Sequence, residues 1–196
     1  MVVVLFENRT KKGGLIMCVI AVSKGRKLSI DYLQNMWTRN SDGAGIAYVQ
    51  GSEVIVTKGF MTFDDFMQAY SSIPAAPHAI HFRLATHGSI TPQFTHPFRV
   101  DVPDTLELEY KARQVLFHNG IIRNWERFAR LTNTPLSCSD TYCFARYLAT
   151  LNDKGKEALI KKQKYSRFAL LTPNSIILFG SFHKLDGFLF SNLNWL

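Results

Sequence analysis

A short apolar run, Met17-Cys18-Val19-Ile20-Ala21-Val22, constrains the fold more than any other stretch of this chain. An unbroken apolar run of this length predicts a buried strand. A cysteine stands near its head. Because free cysteine is among the most buried residue types, core packing explains Cys18 as readily as a chemical role does. The residues before the run bear on that choice.

Residues 1–17 have the features of a leader. The Lys12-Gly13-Gly14 triplet can be encoded by a sequence that includes AAGGAGG, a bacterial ribosome-binding sequence, at start-codon spacing from Met17. We therefore expect residues 1–17 to be a leader or a misassigned start that is absent from the mature protein, with 18–196 as its one domain. A self-cleaved propeptide and a simple N-terminal strand are the alternatives.

Removal of Met17 would make Cys18 the first residue. A terminal cysteine carries a thiol and an α-amine together, and the amine has a reference pKa of about 7.7–8.0. Such an amine can accept the thiol proton near neutral pH and so serve as the base for a nucleophile.

Composition describes one globular domain. The chain has 196 residues, 46% hydrophobic and 19% charged, which is enough for a sizeable core and argues against disorder. Its net charge of +8 permits contact with nucleic acid or an acidic partner without showing it. Three cysteines without regular spacing argue against a disulfide framework, so we expect a reducing, cytoplasmic location. No apolar run approaches the roughly 18 residues of a membrane span.

The pattern of the chain predicts strands, then helices, then strands. This order indicates an α+β fold with layered antiparallel sheets. The predicted helices begin at Ser29, at Thr62, at Ile122, at Ser139 and near Lys154. The predicted strands after residue 22 are Ile46–Val49, Val54–Thr57, Ala79–Ala85, Val115–Phe117, Phe168–Leu171, Ser175–Phe179 and Phe188–Phe190. Residues 91–113 are predicted as a long loop.

Arg83 stands at the end of a predicted buried strand. A buried guanidinium is expensive unless it meets an anion. Its planar fork suits a carboxylate that accepts two hydrogen bonds. The sequence leaves open whether that carboxylate belongs to a ligand or to the protein.

Two further motifs have a structural and a functional interpretation each. Asn119-Gly120 after a strand is typical of a turn, but the Asn119 amide and the Gly120 N–H are also the donor types of an oxyanion hole. Ser139-Asp140 is a normal helix start, but Asp140 is also suited to bind a substrate ammonium.

Taken in order, these blocks resemble the class II glutamine amidotransferases of the N-terminal-nucleophile hydrolase superfamily. The resemblance covers nearly the whole chain from Met17. It rests on Met17-Cys18 before an apolar strand, residues 40–45 (Asn-Ser-Asp-Gly-Ala-Gly), 83–88 (Arg-Leu-Ala-Thr-His-Gly), 95–98 (Thr-His-Pro-Phe), 118–122 (His-Asn-Gly-Ile-Ile), 139–141 (Ser-Asp-Thr) and 191–192 (Ser-Asn). It implies a four-layer αββα sandwich of two mainly antiparallel sheets, with 18–196 as a type-2 glutamine amidotransferase domain.

The resemblance also implies the reacting groups. Cys18 would be the nucleophile that attacks the side-chain amide of glutamine. Asn119 and Gly120 would form the oxyanion hole. The products would be ammonia and, through a γ-glutamyl thioester, glutamate.

The same resemblance implies the residues that bind glutamine. Arg83 would grip the α-carboxylate, with Thr86 and His87 shaping that part of the pocket. Asp140 would take the α-ammonium.

No acceptor domain follows in this chain, so we expect ammonia to pass to a separate synthase. The alternatives are an amidohydrolase of another γ-glutamyl compound and a non-catalytic basic binding module. No cofactor is expected. Neither His78-x-x-His81 nor Cys138-x4-Cys143 predicts a metal site, because alternation separates the histidines and the cysteines suit helix packing.

Overall fold

Two β-sheets lie face to face in this protein. The computed structural model describes residues 2–5, 18–85 and 89–196. One sheet has five strands, in the order β1 (Val2–Leu5), β10 (Ile176–Phe179), β9 (Arg167–Leu171), β8 (Val115–Asn119) and β6 (Phe98–Arg99). The other has seven, in the order β11 (His183–Leu185), β12 (Phe188–Phe190), β2 (Val19–Ser23), β5 (His78–Phe82), β3 (Ala44–Gln50), β4 (Glu53–Phe60) and β7 (Glu109–Ala112).

Helices cover the outer face of each sheet. They are α1 (Ile30–Arg39), α2 (Phe63–Ser72), α3 (Trp125–Leu131), α4 (Asp140–Leu148) and α5 (Asp153–Lys161). Side chains of α1 and α2 share an apolar cluster with the seven-stranded sheet, and those of α3, α4 and α5 share one with the five-stranded sheet. A third cluster fills the space between the sheets. The predicted αββα sandwich is therefore confirmed.

Strand β2 shows why the apolar run constrains the fold. Val19 and Ala21 belong to the cluster beneath α1 and α2, whereas Ile20 and Val22 belong to the cluster between the sheets. Successive side chains of a strand point to opposite faces, so a strand covered on both faces must be apolar throughout. The seven-stranded sheet is antiparallel throughout.

The structure differs from the predicted elements in several places. The helix predicted from Ile122 begins at Trp125, and β11 was not predicted. The strand predicted as Ala79–Ala85 ends at Phe82, because Arg83 leaves the sheet to exchange backbone hydrogen bonds with Asp42 and Gly43. The predicted loop 91–113 contains a 3₁₀ turn and the strands β6 and β7, which pair with β8 and β4. Strands this short are set by their partners more than by their own pattern.

The first residues of the chain contain a strand. Val2–Leu5 pairs in parallel with β10 at the edge of the five-stranded sheet. Residues 6–17 lie outside the described part of the chain. The removal of residues 1–17 stays a prediction.

Among the described residues, no helix is long and apolar enough to cross a membrane. Within the same ranges, no group of three or more His, Cys, Asp or Glu side chains is arranged to hold a metal ion. His78 points to α2, where it bonds Tyr70, while its neighbour Ala79 packs between the sheets.

Candidate active site

A small pocket forms where β2 begins and where β5 and β8 end. Val19 of β2 pairs with Phe82 of β5, so antiparallel register brings Cys18 beside Arg83. Asp140 joins them from the first turn of α4. The residues that line the pocket are Cys18, Arg83, Leu84, Ala85, His96, His118, Gly120, Ser139, Asp140 and Thr141. Four of the seven predicted site residues thus share one cavity.

The Cys18 thiol is held by the backbone of Leu84. Its Sγ accepts from the Leu84 N–H at 3.2 Å and donates to the Leu84 carbonyl at 3.2 Å. Burial raises the pKa of Cys18 to about 11, against the opposing effects of the Leu84 hydrogen bond and of the Arg83 charge. At neutral pH the thiol is therefore protonated, and attack on a carbonyl carbon requires a base.

The Cys18 carbonyl is fixed from the last part of the chain. Asn192 donates its side-chain N–H to that oxygen at 2.8 Å. Asn192 belongs to the Ser191-Asn192 pair that the sequence placed after a closing strand, and that strand is β12. The nucleophile candidate is thus anchored through residues more than 170 positions away in sequence.

Arg83 brings a positive charge to the pocket floor. It is 4% exposed, and its Nη1 donates to the Ser89 carbonyl at 2.9 Å. Burial lowers the pKa of Arg83, while Cys18, Asp42 and Asp140 oppose that shift through their charges. The Asp42 carboxylate is itself tied to this turn, because it accepts from the Ala85 N–H at 2.8 Å.

Asp140 is both a structural acceptor and a pocket residue. Its carboxylate accepts from the Ile122 N–H at 2.8 Å and from the Thr141 N–H and hydroxyl at 2.7 and 3.2 Å. Ser139 caps α4, as predicted, by accepting from the Tyr142 N–H. An ionised carboxylate has about four acceptor positions, so the three bonds leave capacity for a further donor.

The two oxyanion candidates are placed differently. Gly120 lines the pocket with φ +144°, and a Cβ there would lie 2.7 Å from the Ser166 hydroxyl, so the site requires glycine. Asn119 is fully buried, and its Nδ2 donates to Ser191 Oγ at 2.8 Å. Its oxyanion role stays a prediction. Thr86 and His87 lie outside the described residues.

Known proteins resemble this chain in sequence and in fold. No family model matches the chain. The glutamine–fructose-6-phosphate aminotransferases (isomerizing) of Mycobacterium tuberculosis and Mycobacterium bovis are 28% identical over 155 residues, which is 72% of this chain and 23% of theirs. The protein of the same description from Symbiobacterium thermophilum is 30% identical over 115 residues, or 56% of this chain and 17% of that one.

A solved structure shares the fold. The glutamine phosphoribosylpyrophosphate amidotransferase of B. subtilis, complexed with ADP and GMP, superposes with a TM-score of 0.60 at 16% identity over 88% of this chain and 41% of its own. The chain therefore resembles the class II glutamine amidotransferases in sequence and in fold. It spans about a quarter of the length of the mycobacterial relatives.

One feature of this pocket was not predicted. His118 links two walls of the pocket, with Nδ1 2.8 Å from the Thr141 hydroxyl and Nε2 2.9 Å from the Ser166 hydroxyl. Burial lowers the pKa of His118 to about 4, so the ring is neutral at pH 7. The ring of His96 lies 4.1 Å from that of His81. His81, His96 and His118 come from three separate segments of the chain, and nothing in the sequence indicated that these rings would lie together.

Proposed function

We propose that this protein is a glutamine amidotransferase with glutaminase chemistry. One observation carries the proposal: the Cys18 thiol, the Arg83 guanidinium and the Asp140 carboxylate line the same pocket. A free amino acid has a carboxylate and an ammonium close together. A site that binds it therefore needs a cation for the carboxylate and an anion for the ammonium. An amide carbon needs a nucleophile, and Cys18 supplies the only thiol among the pocket residues. The hydroxyls of Ser139 and Thr141 also line the pocket, but they are engaged in the cap of α4 and in hydrogen bonds to His118 and Asp140. Relationship to glutamine amidotransferases supports glutamine as the substrate.

The proposed reaction is acyl transfer to sulfur. Cys18 Sγ attacks the side-chain amide carbon of glutamine, and the amide nitrogen leaves as ammonia after it gains a proton. The γ-glutamyl thioester is then hydrolysed to glutamate. Ammonia passes to a separate acceptor enzyme in this proposal. Hydrolysis of another γ-glutamyl compound is the alternative that the same head-group contacts support.

The base in this proposal is the Cys18 α-amine. In the described part of the chain, Cys18 Sγ makes hydrogen bonds with the Leu84 backbone alone. A thiol with a pKa near 11 is then a poor nucleophile at pH 7. An amine on the same residue, freed by loss of residues 1–17, would accept the proton without a further side chain.

The experiment compares two forms of the protein. We expect protein made from Met17 to lose that methionine and to release ammonia from glutamine, and we expect the complete 196-residue chain that retains residues 1–17 to be inactive. Intact mass spectrometry identifies the first residue, and a coupled assay measures ammonia. The Cys18→Ala variant of the Met17 form is the matched control.

Three outcomes would change this proposal. Full turnover by a complete chain of verified mass would exclude the α-amine as the required base. Faster hydrolysis of γ-glutamyl peptides than of glutamine would favour the alternative substrate class. Salt-sensitive binding of nucleic acid that survives Cys18→Ala, without any amide hydrolysis by the parent, would favour a basic binding module.

A further inference from the structure

The Ser191 hydroxyl connects Asn119 to the strand that carries the nucleophile. Ser191 and Asn119 are both fully buried. Ser191 Oγ accepts from the Ile20 N–H at 2.9 Å and lies 2.8 Å from Asn119 Nδ2. The Ser191 N–H donates in turn to the Ile20 carbonyl at 2.9 Å. One serine therefore joins β2, two residues beyond Cys18, to the end of β8.

Strand alternation explains this meeting. Val115 and Phe117 of β8 belong to the cluster between the sheets, and Asn119 continues on the same face. Ile20 belongs to that cluster from the opposite sheet. Asn119 thus faces the seven-stranded sheet, where Ser191 follows β12.

In the observed orientation of the Asn119 amide, the Ser191 hydroxyl and Asn119 Oδ1 do not have all their hydrogen-bond partners. Two N–H groups point at Ser191 Oγ, and no acceptor for the hydroxyl proton is found among the described residues. Asn119 Oδ1 is buried and has no partner there either. A buried polar atom without a partner is unfavourable, because it has lost its bonds to water and gained none in exchange.

Rotation of the Asn119 amide by half a turn gives a partner both to the Ser191 hydroxyl proton and to Asn119 Oδ1. It exchanges Oδ1 and Nδ2, which have nearly the same size but opposite hydrogen-bonding character. Ser191 Oγ–H then donates to Oδ1 while Oγ still accepts from Ile20. After this rotation, the two N–H donors of the Asn119 amide are the groups that lack a partner.

We propose that Ser191 is a positioning residue that holds Asn119 in this rotated orientation. The relay runs from the Ile20 N–H to Ser191 Oγ and from Ser191 Oγ–H to Asn119 Oδ1. In this proposal the freed Asn119 N–H donors serve the amide oxygen of glutamine as it becomes negative, because Asn119 directly precedes Gly120, which lines the pocket. They gain a full partner only in the transition state, which is the condition for raising kcat. This inference rests on the proposed function, because it requires Asn119 to serve the oxyanion.

Neutron diffraction tests the orientation without any variant. Crystals of the complete chain are exchanged into D2O, and the deuterium positions are located. We expect the deuterium of the Ser191 hydroxyl to point at Asn119 Oδ1, with the deuterated amide nitrogen of Asn119 on the side away from Ser191. An ND2 group that points at Ser191 Oγ overturns the inference.

A double-mutant cycle tests the consequence for catalysis. The variants are Ser191→Ala, Asn119→Ala and the pair, with kcat, KM and thermal unfolding measured for each. We expect Asn119→Ala to lower kcat by about a hundredfold to a thousandfold and Ser191→Ala by about tenfold, with KM within about twofold. The pair should be no slower than Asn119→Ala alone, because Ser191 acts through Asn119.

Ser23→Ala is the matched control. Ser23 is a buried, hydrogen-bonded serine at the other end of β2, so its loss should leave kcat unchanged. If Ser191→Ala lowers only the melting temperature, or if the two losses multiply, the positioning role is wrong. Full turnover by Asn119→Ala would remove the oxyanion assignment itself. An impaired Asn119→Ala beside a fully active Ser191→Ala would contradict the role of Ser191 alone.

Discussion

Arg83 and Asp140 carry opposite charges into one pocket although each is almost fully buried. Arg83 is 4% exposed and Asp140 is 6% exposed. Buried charges are costly unless partners compensate them, and Asp140 has three donors from the protein. We interpret this arrangement as a site for a zwitterionic head group, in which Arg83 meets the carboxylate and Asp140 meets the ammonium.

Replacement of Arg83 by lysine tests that interpretation. Lysine keeps the charge but loses the planar fork, so we expect Arg83→Lys to raise KM for glutamine by about tenfold to a hundredfold and to lower kcat less. Steady-state kinetics on protein made from Met17 measures this. Arg39→Lys, at an exposed position in the last turn of α1, is the control. An unchanged KM with a lower melting temperature would assign Arg83 to an internal ion pair.

At the scale of elements, register decides where the candidate site forms. Antiparallel pairing of β2 with β5 sets the first residue of one strand against the last of the other. The turn at Asp42 and Gly43 then holds Arg83 through two backbone hydrogen bonds of 3.0 and 2.8 Å. A slip of one residue would turn every side chain of β2 to the opposite face.

Strand β1 gives a prediction at the same scale. Its backbone pairs with β10, so protein made from Met17 should lose half of the partners of β10. We expect the amides of Ile176–Phe179 that face β1 to exchange with solvent at least about tenfold faster in that form. Hydrogen exchange with mass spectrometry or NMR measures the difference, with β8 as the internal control. Equal protection in the two forms would show that β1 does not protect β10 in solution.

The whole molecule keeps four histidines neutral within its layers. Burial lowers the pKa of His78 and His96, that of His81 to about 3 and that of His118 to about 4. Unfolding returns each ring to an ordinary pKa near 6.5. Below that pH the unfolded chain binds more protons than the folded one, so stability must fall as the pH is lowered.

The pH dependence of unfolding tests this. Between pH 6.5 and 5 we expect the free energy of unfolding to decrease by up to about 1.4 kcal/mol per pH unit for each buried histidine. Urea unfolding at several pH values measures the slope. His78→Gln should make the slope shallower because it removes one of the buried rings, and His183→Gln, at an exposed position, is the control. A flat profile would show that the rings bind protons equally in the folded and the unfolded protein.

Most strands, the helix caps at Ser29, Thr62 and Ser139, and the residue types of the candidate site could be predicted from the sequence alone. Alternation and capping depend on neighbours in the chain, so they indicated α+β layers of antiparallel strands. The four-layer αββα arrangement was implied by the family resemblance. The end of β5 and the strands within residues 91–113 could not be predicted from neighbouring residues, because their bounds depend on pairing with strands from distant parts of the chain. Only the tertiary structure placed Ser191 against Asn119 and His118 between Thr141 and Ser166. Those contacts join residues 23 to 72 positions apart, and hydrogen bonds across layers leave no periodic trace in a sequence.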